Sequence, residues 1–499
     1  MHLNSEIHKL NWTKTIVTYG KWYLISSLLT KGLNILMLPI YTSYLSTEDF
    51  GIFQSLNSIA QLLPFFLSCS LDVAFSRYYH EFKNNKSELI KLFSTIYWFV
   101  SIYGAFVIFL FIVISYYWIP GFLNIPVFPL AYLSFIPVLF SQLANLGRVF
   151  LQQSLNTKRA TLLDVASAVV NLVTVVSLLV VLKLGLISML VGISTASIFL
   201  FLYYTRYFVR LNILQIKFSL PTLYKSLKYS IPLIPAMAGS WLAGSANRLI
   251  ITKYCGLSDV GIFSLGFQLA SILYVIGDAL SRVTDPLSMS GLVNDKNDTK
   301  KKISNIAIST LGIMLIFNIG IYLFSNEFVA LFAPSSYSDS AIIIPLIGFA
   351  YVLGIQQRYP TQVLLFHKKT ILVSLATILM GIINILVNLL LVPQVGFIGS
   401  ALATITSSLF SILWIIFWAQ KIDKLDYNWT KYFLLLSLFI ISILISRFFF
   451  ASKIINLWSV IMKMLYLVLF SLIVIQIINR GLVKKYISKF FLKFMNHNH

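Results

Sequence analysis

Apolar runs long enough to cross a bilayer follow one another along almost the whole chain. A helix of about 20 apolar residues spans the ~30 Å hydrocarbon core of a membrane. Hydrophobic residues make up 58% of the chain and charged residues 11%. The sequence therefore predicts an all-α polytopic membrane protein. We predict about fourteen transmembrane helices, near residues 18–40, 50–73, 90–116, 128–153, 160–182, 186–208, 228–251, 260–284, 303–324, 341–365, 371–393, 396–418, 430–450 and 457–478.

The chain also contains an internal repeat. Tyr44 and the triplet that starts at Gly51 recur at Tyr254 and Gly261, an offset of 210 residues, and no gap is needed further downstream. The pattern predicts a duplicated six-helix unit, with an N-terminal repeat at 1–210, a C-terminal repeat at 211–425, and two additional helices with a basic tail at 426–499. Six is even, so we expect a pseudo-twofold axis along the membrane normal rather than inversion. The same offset relates Arg148, Gln152, Leu155 and Lys158 to Arg358, Gln362, Leu365 and Lys368.

Lysine and arginine cluster in alternate connections between the spans. The segments Trp118–Phe128 and Ser325–Ser340 contain neither residue. By the positive-inside rule, both termini are predicted to be cytoplasmic. The net charge of +22 is then explained by basic segments over anionic lipid, without nucleic acid as a partner.

The motifs of several catalytic classes are missing from the sequence. No G-x-x-x-x-G-K-[ST] loop, H-E-x-x-H motif or paired-cysteine spacing occurs. Connections between spans are short, which argues against a separate catalytic domain. We therefore predict no enzyme, no metal site and no cofactor, and leave open a coupling to a proton or sodium gradient.

Polar residues on membrane helices are the candidate functional groups, because such residues tend to face a bundle interior or a cavity. In the first span, Lys31 and Asn34 share one face, and Lys31 lies near the predicted midplane, where an unpaired lysine costs roughly 2.5–3.5 kcal/mol. A lysine paired with a buried carboxylate for packing alone is the alternative. Gln61 and Asp72 lie on one face of the second span.

Three further positions each allow two interpretations. Asp278 and Arg282 lie on one face of the eighth span, four residues apart, so they can also simply pair with each other. Arg248 in the seventh span is either a site residue or an anchor at the membrane interface. Asp164 in the fifth span is either a proton or cation site or the partner of a nearby lysine. Asp72, Asp164 and Asp278 are the candidates for ion coupling.

The strongest pair is Arg148 and Arg358, each followed one turn later by Gln152 or Gln362. Two guanidiniums on either side of one axis would offer planar, bidentate donors to a shared anion, for which phosphate is the obvious candidate. The alternative is that both arginines anchor their helices at the inner headgroup level. The predicted substrate-binding residues are Lys31, Asn34, Gln61, Arg148, Gln152, Arg248, Arg282, Arg358 and Gln362.

Three sequence segments resemble Wzx-type polysaccharide flippases. They are the segment from Asn247-Arg248 to Gly261-Ile-Phe, its first-repeat copy from Tyr44 to Phe53, and the segment from Asn384 to Ala401. Their order and spacing are fairly specific, and the resemblance covers essentially the whole chain. One departure is Asn247, where the family often has an acid, so ion coupling here is in question.

The resemblance implies a member of the multidrug/oligosaccharidyl-lipid/polysaccharide exporter superfamily that alternates between inward-open and outward-open states. It implies transport of undecaprenyl-pyrophosphate-linked oligosaccharide repeat units across a bacterial plasma (inner) membrane, for O-antigen or another surface polysaccharide. Membrane lipids are the surrounding partners, and the polysaccharide polymerase and chain-length machinery are candidate partners.

Several alternatives remain on sequence grounds. A lipid II-type peptidoglycan precursor flippase would have the same fold and a related substrate. A cation-coupled drug antiporter would favour acidic over basic cavities. A polymerase or glycosyltransferase should carry a long loop, and the buried Lys31 argues against a purely structural scaffold.

Overall fold

The computed structural model describes residue 29 and residues 32–294, 296–449 and 457–478. Within these ranges the chain is helical and contains no β-strand. Twelve of the described helices are long and apolar enough to cross a membrane. The predicted all-α polytopic fold is therefore confirmed.

Two of the predicted spans are not among these twelve helices. Of the first, 18–40, only residue 29 and residues 32–40 lie within the described part, and Lys31 lies outside it. The seventh, 228–251, is divided among shorter helices. Pro232 and Pro235 lie in the divided segment, and proline lacks the N–H that a helix interior needs. The total of fourteen stays a prediction.

The chain divides into two compact units, and the boundary falls between Gly261 and Ile262. The first unit contains helices α1 (Leu38–Tyr44), α2 (Thr47–Ala60), α3 (Leu63–Leu67), α4 (Leu71–Phe82), α5 (Lys86–Leu123), α6 (Leu130–Gln153), α7 (Thr157–Val176), α8 (Leu186–Arg210), α9 (Leu220–Ser230), α10 (Ile234–Gly244) and α11 (Asn247–Cys255). Helix α12 (Leu257–Asn294) starts in the first unit and continues into the second. The second unit also contains α13 (Lys296–Leu323), α14 (Ser325–Phe332), α15 (Ile343–Phe366), α16 (Thr370–Val395), α17 (Phe397–Ile422), α18 (Trp429–Phe449) and α19 (Leu457–Ile478).

The predicted second span is broken into three helices. Pro64 lies at the start of α3, and α4 follows two residues with a left-handed backbone, Cys69 (φ 47°) and Ser70 (φ 57°). Non-glycine residues adopt this conformation only rarely. The breaks place Gln61 between α2 and α3, and Asp72 in the first turn of α4.

An aromatic core holds α4, α5, α6 and α8 of the first unit together. Phe93 lies 4.8 Å from Phe208 between ring centroids, and Phe150 lies 4.9 Å from Phe208. Helices α6 and α8 approach closely at Gly147, where an added Cβ would lie 2.8 Å from the Tyr204 ring. Arg148 is the next residue of α6, so it lies beside this close contact with α8.

A second close approach in the first unit joins the two copies of the repeated glycine. A Cβ added to Gly51 would lie 1.8 Å from the carbonyl oxygen of Leu257, and one added to Gly261 would lie 2.0 Å from that of Thr47. Since Leu257 and Thr47 are themselves related by the offset of 210, the contact is reciprocal. Reciprocal contacts are the property of a twofold arrangement, which supports the predicted symmetry at this crossing of α2 and α12.

The second unit has its own hydrophobic core, to which α13, α15 and α17 contribute residues. Tyr359 is fully buried, and its hydroxyl lies 2.7 Å from Thr310 Oγ1. Asn384 and Asn388 of α16 form a buried polar chain with Ser407 and Ser400 of α17. Such hydrogen bonds between helices stabilise a pair of transmembrane helices in lipid.

Candidate functional site

The first unit contains a polar cavity of about 410 Å³ between α6, α7 and α8, which we call the Arg148 cavity. Three polar residues of α6 lie at helical spacing on its wall, and α7 adds three more polar residues at spacings of three and four. Small side chains and Ile193 fill the gaps between them. The lining residues are Asn34, Ser141, Ala144, Asn145, Arg148, Asp164, Ser167, Ala168, Asn171, Ile193, Ala196, Ser197, Leu200 and Tyr204.

An ion pair lies on the wall of the Arg148 cavity. Nη2 of Arg148 lies 2.9 Å from Oδ2 of Asp164, whose side chain is 13% exposed, whereas the Arg148 side chain is 43% exposed. Of the two interpretations of Asp164, a pairing is observed, and a partner among the described residues is Arg148. A membrane-depth arginine needs such a counter-charge.

Three polar atoms around this cavity lack a hydrogen-bond partner among the described residues. They are Nε of Arg148, Oδ1 of Asn171 and the hydroxyl of Tyr204, and all three are buried. A buried polar group without a partner costs about 1–3 kcal/mol. Residues that line the cavity therefore carry donors and an acceptor that the described chain leaves unsatisfied.

Two other predicted residues lie close to the Arg148 cavity. Asp72 accepts a hydrogen bond of 3.3 Å from Nδ2 of Asn145, which lines the cavity. Gln61 lines an adjoining cavity of about 200 Å³ that shares Ser141, Ile193 and Ser197 with it. Gln61 also accepts a hydrogen bond of 2.7 Å from Ser245.

The remaining predicted residues of the first unit lie elsewhere on its helices. Gln152 lies one turn beyond Arg148 on α6 and is half-buried. Arg248 is the second residue of α11, is 7% exposed and directs Nη1 towards the Gly244 carbonyl at 3.5 Å. This burial argues against a solvent-exposed interface anchor.

A charged cluster lies in the second unit. The buried Asp278 holds two arginines, because its Oδ2 lies 2.8 Å from Nε of Arg282 and its Oδ1 lies 3.2 Å from Nη1 of Arg358. The predicted pairing of Asp278 with Arg282 is thus observed. Nη1 of Arg358 makes no well-directed hydrogen bond among the described residues, so its contact with Asp278 is electrostatic.

Asp285 extends this cluster beyond the apolar span Leu257–Arg282. Burial raises the pKa of the Asp285 carboxyl, against the opposing effects of Arg358 and a hydrogen bond from Gln362. The cluster therefore brings together three predicted site residues, Arg282, Arg358 and Gln362, with the predicted coupling residue Asp278.

The sequence analysis missed Asn145, Asn171 and Tyr204. The signal for the first two was present. Asn145 falls between Ser141 and Arg148 at spacings of four and three, and Asn171 follows Asp164 on one face of α7. Tyr204 carried no such signal, because it lies in an aromatic run of α8.

The fold is that of a polytopic membrane protein of known structure. The structure of the lipid II flippase MurJ in an inward closed conformation matches with a TM-score of 0.71 at 16% identity, covering 94% of this chain and 100% of that one. At this identity the match shows the fold alone. The protein is accordingly a multi-pass membrane protein.

The family model described as polysaccharide biosynthesis protein matches residues 19–284, more than half of the chain. The chain belongs to this family, so the predicted family resemblance is confirmed. The probable flippase AglR of Haloferax volcanii is 27% identical over 206 residues, 39% of this chain and 42% of AglR. The match thus spans less than half of AglR. The uncharacterized membrane protein MJ1375 of Methanocaldococcus jannaschii is 24% identical over 424 residues, 81% of this chain and 97% of that protein.

Proposed function

We propose that the protein is a flippase that moves a lipid-linked glycan precursor across the membrane by alternating access. The observation that carries this proposal is the Arg148 cavity, a polar chamber inside a bundle of membrane-spanning helices. Ionisable residues at membrane depth mark substrate or ion pathways by default. The guanidinium suits the phosphate that joins lipid to sugar, and the amides and hydroxyls suit sugar hydroxyl groups.

Two comparisons support the transport of a glycan precursor. The chain belongs to a polysaccharide biosynthesis family, and a relative with 27% identity is named a probable flippase. The roles we assign are phosphate binding to Arg148 and sugar contacts to Asn34, Asn145 and Asn171. We assign a second phosphate-binding role to Arg358, on the strength of its charge and of the repeat offset, and to Arg282, because it shares Asp278 with Arg358.

In its finer form, the proposal has undecaprenyl pyrophosphate as the carrier and a bacterial plasma membrane as the location. Both termini would be cytoplasmic, and the product would supply O-antigen or another surface polysaccharide. These details rest on the sequence resemblance and on the distribution of Lys and Arg. A polysaccharide polymerase is the expected downstream partner. We propose that the six-helix repeats at 1–210 and 211–425 move relative to each other during transport, and that the two helices at 426–499 are additional to them.

Complementation tests the proposal. In a strain that lacks its own copy of the gene, Arg148→Ala should abolish the surface glycan at normal protein levels, because the phosphate loses its guanidinium. Lys302→Ala is the matched control, since Lys302 is 68% exposed and pairs with Asp298 four residues away. Full complementation by Arg148→Ala would contradict the proposal.

A second assay separates the two flippase substrates. Expression in cells depleted of their lipid II flippase should fail to restore growth if the cargo is a surface-glycan precursor. Rescue would instead assign the peptidoglycan precursor as cargo and leave the Arg148 site in place.

A further inference from the structure

The Arg148 cavity presents an arginine whose charge is already neutralised before any ligand binds. The pair with Asp164 uses Nη2, while Nε is buried and unpartnered among the described residues. A guanidinium has five N–H donors in a planar fork. Arg148 therefore has N–H donors that the pair with Asp164 does not use.

The two side chains of the ion pair differ in solvent exposure, and this difference would allow Arg148 to exchange Asp164 for another anion. The Arg148 side chain is 43% exposed, whereas that of Asp164 is 13% exposed. The carboxylate is thus set back in the bundle, while the guanidinium is reachable from the cavity. An incoming anion can approach the arginine without first removing the aspartate from its place.

Two residues near the pair of Arg148 and Asp164 carry polar atoms that make no hydrogen bond to the described residues. The Tyr204 hydroxyl and Oδ1 of Asn171 are buried and unpartnered among the described residues. Oδ1 of Asn171 packs against Gly192, where an added Cβ would lie 2.6 Å from it. A donor and an acceptor therefore belong to residues that line the same cavity as the charged pair.

We propose that Asp164 is a resident counter-anion that stores Arg148, and that the phosphate of the lipid-linked substrate displaces it on binding. The arginine passes from carboxylate to phosphate when the substrate enters and returns to the carboxylate when it leaves. Phosphate offers more acceptor oxygens to the planar fork than one carboxylate does, so the exchange is favourable only while the substrate is present. This inference rests on the proposed function of the same cavity.

The charged cluster of the second unit shows why we assign the exchange to Arg148. Both oxygens of Asp278 are in use, one by Arg282 and one by Arg358. Displacing that carboxylate would have to break two ion pairs at once. The second unit therefore holds its arginines more firmly, and the first unit carries the arginine that changes partner.

The test is the binding of undecaprenyl pyrophosphate to the full-length protein in nanodiscs, together with surface-glycan complementation. Asp164→Asn removes the competing anion and should tighten binding by about tenfold. The same variant should reduce transport, because the arginine no longer has an anion to return to. Asp298→Asn, which neutralises an exposed carboxylate paired with Lys302, is the matched control and should not tighten binding. Asp164→Ser repeats the test with a smaller side chain if the asparagine variant does not fold.

The outcomes separate this inference from the proposed function. Unchanged or weaker binding by both folded Asp164 variants, with Arg148→Ala still weakening binding, would overturn the storage role and leave the phosphate site intact. Binding that is insensitive to Arg148→Ala would overturn the phosphate site itself. Tighter binding together with full transport activity would overturn the return step.

Discussion

The two arginines related by the repeat offset are held in different ways in the two units. Arg148 pairs with Asp164 from the neighbouring helix α7, whereas Arg358 shares Asp278 of α12 with Arg282. The counter-charges do not follow the offset: Ser374 occupies the position equivalent to Asp164, and Ser68 the position equivalent to Asp278. The two repeats thus share the arginine, but the aspartate that pairs with it occupies different positions in the two repeats.

This difference shows what the membrane demands of each unit. A buried or half-buried arginine needs a nearby anion, because an unpaired charge in a low-dielectric environment is strongly unfavourable. The carboxylate can come from any helix that packs beside the arginine. The need for a counter-charge therefore requires a nearby acid but does not determine which helix carries it. The first unit meets the demand beside a cavity, and the second meets it with a four-member cluster that includes Asp285.

The largest expected effect tests the duplication on which this comparison depends. Gly51→Ala and Gly261→Ala each place a Cβ within about 2 Å of a backbone carbonyl oxygen, at 1.8 and 2.0 Å. Backbone cannot move aside as a side chain does, so we expect a loss of about 4 kcal/mol or more. Size-exclusion profiles in detergent and melting temperatures would measure it.

The controls for this prediction are glycines with room for a methyl group. Gly244→Ala and Gly354→Ala meet no atom within 4 Å, so both should give normal yields. Because the contact is reciprocal, the Gly51 and Gly261 variants should lose stability equally. A large loss in one and none in the other would show that the crossing is not symmetric.

The second prediction compares the two carboxylates directly. Asp278→Ala leaves two arginines without their shared anion and should lower stability by about 3 kcal/mol, the low end for a broken buried pair because both arginines are partly exposed. Asp164→Ala removes the counter-charge of Arg148, which is 43% exposed, and should have a smaller effect.

Melting temperatures of the purified variants would measure this difference, with Asp298→Ala as the control. Asp298 is 52% exposed, and its pair with Lys302 is on the surface, where ion pairs contribute little. Equal losses for Asp278→Ala and Asp164→Ala would remove the distinction between a shared and an exchangeable carboxylate.

A third prediction concerns the residue before each arginine. Gly147 allows α6 to lie against Tyr204, whereas the equivalent position in the second unit is Gln357. Gly147→Ala should cost about 1–3 kcal/mol through overpacking and should shift Arg148 enough to reduce transport. Gln357→Ala should be tolerated. A fully active Gly147→Ala protein would show that this approach does not position the arginine.

The sequence alone predicted the membrane fold, contained the repeat, and pointed to several charged residues that line the Arg148 cavity or form the cluster of the second unit. Long apolar runs and the offset of 210 are properties of the chain itself, so they need no knowledge of packing. The pairing of Asp278 with Arg282 was also foreseeable, because residues four apart share a helix face.

Contacts between helices were beyond the reach of the sequence. That Arg148 pairs with Asp164, and that Tyr204 closes the same cavity, depends on how α6, α7 and α8 pack. The break of the second span at Cys69 and Ser70 was likewise hidden, since neither residue type favours a left-handed backbone. The spacing of side chains along a helix shows which residues share a face, but the residues that this face contacts depend on how the helices pack.

The smallest expected effect concerns Asp285, which has no acidic counterpart in the first unit. Its equivalent is Phe75, a fully buried residue of the aromatic core. Burial raises the pKa of Asp285 above its ordinary value of 3.8, so the charged form is less stable in the folded protein than in the unfolded chain. The folded state therefore loses stability as the pH rises from 3.8 through the raised pKa, and the loss is constant above it.

Asp285→Asn should remove this dependence. The melting temperature of the variant should be slightly higher than that of the parent protein at pH 7.5, and the difference should shrink as the pH is lowered towards 3.8, where Asp285 becomes neutral. Asp298→Asn serves as the exposed control. If Asp285→Asn were instead less stable at pH 7.5, the attraction of Arg358 would outweigh burial, and the second unit would then use Asp285 as a second counter-charge for its arginine.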